Sequence, residues 1–147
     1  MVAATAVQVA IVSLRRWLTN VQPSTAAIIE EDSEVEFVAN IRPTNRDASP
    51  LTVRIGKSDQ LFDCLAGRAV QINDLNLDTS LLLDICEAVR QGQVVEETWE
   101  RNGKVMRSIG RIQLPTRALA SQRVYLPRLV AGRLLGYTRH QYKFHAW

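Results

Sequence analysis

The spacing of apolar side chains predicts a helix at the N-terminus. Over residues 2–18, apolar positions recur every three or four residues, with Val7 and Ile11 one turn apart. This spacing places them on one face of a helix. Val9 and Val12 widen the apolar stripe, so we expect the helix to be covered on more than one side. A homodimer formed through this helix would supply the second cover.

Alternating apolar and polar positions predict strands in the next part of the chain. Residues 25–31 and 34–41 are predicted as two strands joined by a turn, and residues 51–55 as a third strand. Residues 42–50 contain two prolines and several polar side chains, which predicts an exposed loop. Residues 59–66 follow a serine that can cap a helix and precede a glycine that can end one, so they predict a short helix.

The pair Asn102-Gly103 is the strongest local signal in the sequence. It lies between two strand-like runs and predicts a hairpin with a type I′ turn, because both turn positions need a positive φ. A two-residue turn fixes the register and places Trp99 opposite Met106. One face of the hairpin would then carry these two side chains. The other face would carry Glu96 beside the arginines of the second strand.

Helices are predicted on both sides of this hairpin. Before it, residues 79–91 have an apolar stripe, and Gly92 is placed to end the helix. After it, residues 116–122 are predicted to be helical. A further helix is predicted over residues 127–135, where a proline suits the first turn. Residues 137–147 are rich in aromatic and basic side chains.

Together these elements predict an α+β fold. Strands joined by short turns imply an antiparallel sheet with helices packed on one side, including an N-terminal helix and a C-terminal helix with a basic tail. The length of 147 residues allows one domain, and we predict a single α+β domain over residues 1–136 with a tail over residues 137–147. Apolar residues make up 46% of the chain and charged residues 22%, which excludes a wholly disordered chain.

The net charge of +3 conceals a strong division of charge along the chain. Residues 1–100 contain eight basic and fifteen acidic side chains. Residues 101–147 contain ten basic side chains, eight of them Arg, and no acidic side chain. Such a division predicts either a docking surface for an acidic partner or mutual neutralisation within the fold.

The candidate partner-binding residues are the basic and aromatic side chains of the C-terminal part. They are Arg107, Arg111, Arg117, Arg123, Arg128, Arg133, Arg139, Tyr137, Tyr142, Lys143 and Trp147. Arginine with tyrosine and tryptophan is typical of protein interfaces, so the leading hypothesis is an adaptor or assembly factor that docks on an acidic protein. Nucleic acid is the alternative partner, because the same side chains can bind phosphates and stack on bases. A third interpretation is that the arginines only solvate the outer face of the last helix.

Neither a catalytic nor a cofactor motif is found in the sequence. P-loop, GxGxxG, GxSxG, HExxH and EF-hand patterns are absent, and His140 and His145 have no standard metal-ligand spacing. We therefore predict a non-enzymatic protein without a metal or cofactor. Cys64 and Cys86 lie among apolar neighbours outside any CxxC pair, which favours free thiols in a reducing, cytoplasmic compartment. The N-terminal apolar stretch is too short for a membrane span.

Overall fold

The computed structural model describes residues 5–124 and 138–147 and confirms the α+β class. In chain order its elements are α1 (Ala6–Thr19), β1 (Ala26–Asp32), β2 (Glu36–Pro43), β3 (Leu51–Gly56), β4 (Leu61–Ala66), β5 (Val70–Asn76), α2 (Thr79–Arg90), β6 (Val94–Arg101), β7 (Lys104–Gln113), β8 (Ala118–Val124) and β9 (Thr138–Lys143). The strands form two antiparallel sheets, where the sequence predicted one. The first has the order β1-β2-β3-β4-β5, and the second has the order β8-β7-β6-β9.

The short helix predicted over residues 59–66 is wrong, because this segment forms strand β4. Phe62 and Cys64 point into the core, whereas Leu61 and Leu65 lie on the outer face of the sheet. Because both faces of the strand carry apolar residues, apolar positions recur three or four residues apart along the chain. The same spacing is typical of the apolar stripe of a helix. Pairing with β3 and β5 on either side overrides this local signal.

The helix predicted over residues 116–122 is also wrong, since this segment lies largely within strand β8. Leu119 pairs with Ile112 of β7, which extends the second sheet by one strand. The helix predicted over residues 127–135 lies outside the described residues. From residue 138 onward the segment predicted as a tail continues as β9, which pairs with β6 along its length. Within the described residues, the C-terminal part therefore contains strands and no helix.

Both sheets and both helices contribute to one core. Its largest fully buried side chains include Leu14 of α1, Ile85 of α2 and Phe37 of the first sheet, and Ile112 brings the second sheet into the same cluster. The two sheets pack closely at Gly110, where a Cβ atom would lie 2.2 Å from a methyl group of Val70. None of the helices within the described residues is long and apolar enough to cross a membrane.

Helix α1 keeps an uncovered apolar side in this structure. Its N-cap is Thr5, which forms a reciprocal capping box with Gln8. Val7 is buried, while Val9 and Val12 are 44% and 54% exposed. A homodimer through these two side chains stays a prediction.

The last residues of the chain lie over the C-terminal end of α2. Phe144 is buried, and the backbone N–H of Trp147 donates to the carbonyl of Arg90 at 2.9 Å. The Trp147 indole donates to the carbonyl of Ser49 at 2.8 Å and packs edge-on against Trp17, with 5.9 Å between ring centroids. These contacts hold the chain directly after β9 and so fix the position of that strand.

Glu87 joins the two helices through a set of hydrogen bonds. Its carboxylate accepts from Arg90, from the indole of Trp17 at 3.1 Å and from Gln91 at 2.9 Å. These donors, Arg90 foremost, lower the pKa of Glu87 to about 2.

This lowered pKa predicts a loss of stability in acid. Because the folded-state pKa lies below the usual 4.5, the contribution of Glu87 is present above pH 4.5 and is lost as the pH falls towards 2. The side chain is 37% exposed, so solvent screening limits the effect to less than about 1 kcal/mol. Thermal melts of the wild type and of Glu87→Gln should differ at pH 6 and converge near pH 2. An equal difference at both pH values would contradict this role.

Candidate functional site

One face of the second sheet carries four basic side chains, two from β7 and two from β9. Register places Arg111 and Lys143 on either side of Val95, and Arg107 and Arg139 on either side of Trp99. We call this surface the basic face, and it consists of Arg107, Arg111, Arg139 and Lys143 around Glu97 and Trp99. Neighbouring strands lie about 4.8 Å apart, so the backbones of β7 and β9, on either side of β6, are separated by about 10 Å.

Glu97 lies at the middle of the basic face and is only 8% exposed. Its Oε1 atom accepts an ion pair from Arg139 Nη2 at 3.0 Å and another from Arg111 Nη1 at 3.5 Å. The two arginine side chains remain 58% and 50% exposed. One buried carboxylate thus orients two guanidinium groups that still face solvent, and this orientation lowers the entropy that they lose on binding.

Trp99 supports the other end of the basic face. The guanidinium of Arg107 lies 4.9 Å from the centroid of the indole ring, and that of Arg139 lies 6.0 Å from it. Both distances are in the range of cation–π contacts. The Nε atom of Arg107 is buried without a hydrogen-bond partner. The indole ring therefore lies against one guanidinium from each neighbouring strand.

The basic face keeps its charge after folding. In the N-terminal part, Arg15, Lys57 and Arg54 pair with three acidic side chains of β1 and β2, which are Glu30, Asp32 and Glu36. In the C-terminal part, Arg111 and Arg139 pair with Glu97 of β6, and His140 lies 3.5 Å from the Glu100 carboxylate of the same strand. Four cations around one carboxylate give the basic face a net positive charge, and a docking role for it stays a prediction.

The face has the chemistry of an anion-binding surface. Guanidinium groups bind carboxylates and phosphates in a bidentate way, and a partly exposed tryptophan adds apolar contact area. No family model, curated protein or solved structure matches the chain.

The hairpin register differs from the prediction by one residue. The type I′ turn is confirmed, with φ of 54° at Asn102 and 75° at Gly103. A β-bulge next to Trp99 then places it opposite Arg107 instead of Met106. One additional residue on a strand exchanges the two faces beyond it.

Because of this shift, Glu96 lies on the inner face and not beside the arginines. It is 7% exposed, and its Oε1 atom accepts the backbone N–H of Arg68 at 2.6 Å and that of Ala69 at 3.1 Å. The predicted diagonal pairing of Glu96 with the arginines of β7 is wrong. The carboxylate of the next residue, Glu97, forms the ion pair with Arg111 of β7.

Two of the predicted aromatic residues make contacts within the molecule. Tyr142 lies on the inner face, where the guanidinium of Arg68 is 4.8 Å from its ring centroid and Phe144 packs edge-on against it. Its hydroxyl lies 3.4 Å from the carboxylate and carbonyl oxygens of Asp47. Desolvation, with the nearby Asp47 carboxylate, raises the pKa of Tyr142. Trp147 packs against the helices as described above.

The other predicted residues are dispersed along the C-terminal part. Arg117 is exposed in the turn between β7 and β8, where its carbonyl accepts the N–H of Leu114 at 2.8 Å. The backbone of Arg123 pairs with Ser108 in β8. Arg128, Arg133 and Tyr137 lie outside the described residues.

The cysteines and the acidic clusters offer no second site in the described part of the chain. Cys64 and Cys86 are free and buried, as predicted. Burial raises the pKa of the Cys64 thiol to about 12 and raises that of Cys86 beyond the usual range as well, which makes both weak nucleophiles. Among residues 5–124 and 138–147, no group of three or more His, Cys, Asp or Glu side chains has the geometry of a metal site.

Proposed function

We propose that this chain is a non-catalytic binding protein, an adaptor or assembly factor, whose basic face docks an acidic segment of a protein partner. The observation that carries the proposal is the arrangement around Glu97, where two half-exposed arginines are held at 3.0 and 3.5 Å by one buried carboxylate. Arginine next to tryptophan is the composition of interface residues with large binding energies. A cytoplasmic location stays a prediction.

An acidic protein suits this surface better than a nucleic acid does. Sequence-tolerant binding of single strands uses aromatic rings on which bases stack. The ring of Trp99 is half-buried and already lies against the guanidinium groups of Arg107 and Arg139. Glu97 also places a negative charge in the middle of the face, which opposes a continuous run of phosphates. Separate carboxylates on a peptide can instead pair with the individual cations.

The proposal predicts a loss of binding when three cations of the basic face are neutralised. The variant Arg111→Gln/Arg139→Gln/Lys143→Gln should bind a fluorescent poly-glutamate peptide about 30-fold more weakly than the wild type, at about 0.7 kcal/mol for each lost ion pair. Fluorescence anisotropy at low salt measures the affinity. Arg107 is kept in this variant so that the packing of Trp99 is preserved.

The matched control removes the same number of charges elsewhere. Arg16, Arg42 and Arg54 are exposed on the N-terminal half of the chain, away from β9. Their triple change to Gln should alter the affinity by less than about three-fold. An equal loss in both triple variants would show that only net charge matters, and it would contradict the proposal. Tighter binding of single-stranded RNA than of poly-glutamate, lost in the basic-face variant, would favour the nucleic-acid alternative.

A further inference from the structure

Over Thr138–Lys143 the basic face ends at a strand edge that pairs with no other strand in the described part of the chain; directly after it, His145 forms a bridge to Ala48 on that side. Strand β9 is the last strand of the second sheet, and β6 is its only described partner strand. Every residue of β9 except Tyr142 is exposed. An unpaired strand edge presents backbone N–H and C=O groups that can bind another extended chain.

Two backbone hydrogen bonds fix the direction of these backbone groups. The N–H of Phe144 donates to the carbonyl of Val94 and so points towards β6, whereas the N–H of His145 donates to the carbonyl of Asp47 on the other side. Backbone groups alternate in direction along a strand. The N–H and C=O groups of Arg139, Gln141 and Lys143 therefore point away from β6, towards the open edge.

The same three residues also belong to the basic side of the sheet. Arg139 pairs across β6 with Trp99, Gln141 with Glu97, and Lys143 with Val95. Their side chains therefore stand on the face that carries the cations, while their backbone groups face the open edge. Directional backbone groups and positive side chains are thus combined in one strand.

We propose that the acidic partner segment binds as an additional antiparallel strand along β9. This inference rests on the function proposed above and specifies the conformation of the partner. Every strand pair in both sheets is antiparallel, and the added strand would have the same orientation relative to β9. Backbone hydrogen bonds to Arg139, Gln141 and Lys143 supply the directional contacts, as in other cases of strand addition.

The side chains of β9 determine which segments can bind. Residues directly opposite Arg139 and Lys143 lie four positions apart on the incoming strand, and acidic side chains at these positions make favourable cross-strand pairs. A second copy of β9 would place cations opposite cations, so the edge disfavours pairing between identical copies. The segment is therefore an extended chain with two carboxylates four residues apart.

A backbone-modified peptide separates strand addition from simple charge attraction. The probe is a synthetic peptide of about ten residues, rich in Thr and Val, with two Glu residues four positions apart. N-methylation of the residue midway between them removes the N–H that faces Gln141. We expect binding to weaken about ten-fold or more. N-methylation of the next residue, whose N–H faces away from β9, is the control and should leave the affinity within about two-fold.

A variant of the protein tests the same contact from the other side. Gln141→Pro removes the N–H of residue 141, which points away from β6, and it breaks no hydrogen bond to β6. An edge strand tolerates proline at such an outward-facing position. Gln141→Ala keeps the N–H and is the control. We expect the proline variant to lose affinity about ten-fold while the alanine variant binds like the wild type. If Gln141→Pro does not fold, the two methylated peptides alone decide the question.

The outcomes distinguish this inference from the proposed function. Equal binding of both methylated peptides, with the loss in the Arg111→Gln/Arg139→Gln/Lys143→Gln variant retained, would overturn strand addition and leave docking on the basic face in place. No binding of the unmodified peptide or of poly-glutamate to the wild type would overturn both.

Discussion

Replacing Gly92 by alanine should lower the free energy of unfolding by about 3 kcal/mol or more. Gly92 ends α2 in a Schellman motif with φ of 78°, and Gln93 donates back to the carbonyl of Ala88 at 2.8 Å. A Cβ atom here would lie 2.7 Å from the backbone nitrogen of Ala146 and 2.9 Å from the carbonyl oxygen of Phe144. These are backbone atoms, which cannot move aside without displacing the end of the chain.

The cost at Gly92 has two parts, the backbone strain of a positive φ and the steric overlap with residues 144–146. Chemical denaturation of the Gly92→Ala and Gly103→Ala variants separates them. Gly103 has a similar φ of 75° but no atom within 4 Å of its added Cβ. Its replacement should cost only about 1 kcal/mol, the backbone strain alone. Because the C-terminal residues hold β9, the Gly92 variant should also lose affinity for poly-glutamate. Equal destabilisation at both glycines would contradict the close packing of residues 144–146 over α2.

Removing the Glu96 carboxylate should destabilise the protein by about 2–3 kcal/mol. Glu96 is buried, and it accepts two backbone N–H groups from the turn between β4 and β5, at 2.6 and 3.1 Å. It thereby connects the second sheet to the first. Glu96→Ala leaves both backbone donors without their protein acceptor.

Two further variants test this role by equilibrium unfolding. Glu96→Gln retains one acceptor oxygen and should lose roughly half as much stability as Glu96→Ala. Glu100 lies two residues further on, with its side chain 35% exposed beside His140. Glu100→Ala should change stability by less than about 0.5 kcal/mol. A loss at Glu100 as large as that at Glu96 would refute the connecting role of Glu96.

Elements with strong local signals could be predicted from the sequence. The apolar stripes of α1 and α2, the end of α2 at Gly92 and the type I′ turn at Asn102-Gly103 each depend on residues that are close in sequence. Strands β4 and β8 could not be predicted, because their local patterns suit a helix and only pairing with distant strands decides the outcome. The bulge beside Trp99 has no sequence signal that we can identify.

The candidate site was predictable in its charge but not in its geometry. Counting charges indicated that the C-terminal part carries the basic surface. The meeting of Arg111 and Arg139 depends on β9 joining the opposite side of β6, which is a long-range pairing. The bulge then decides that Glu97, and not Glu96, lies between them. Trp99 was predicted on the opposite face from the arginines for the same reason.

The indole N–H signals of the three tryptophans provide the most direct test of the basic face. The indoles of Trp17 and Trp147 donate to Glu87 and Ser49 within the molecule, whereas Trp99 lies in the basic face against two guanidinium groups. In a titration with poly-glutamate peptide followed by proton–nitrogen NMR, we predict that the Trp99 signal shifts and that the other two stay in place. Saturable binding that leaves the Trp99 signal unchanged would contradict docking on this face.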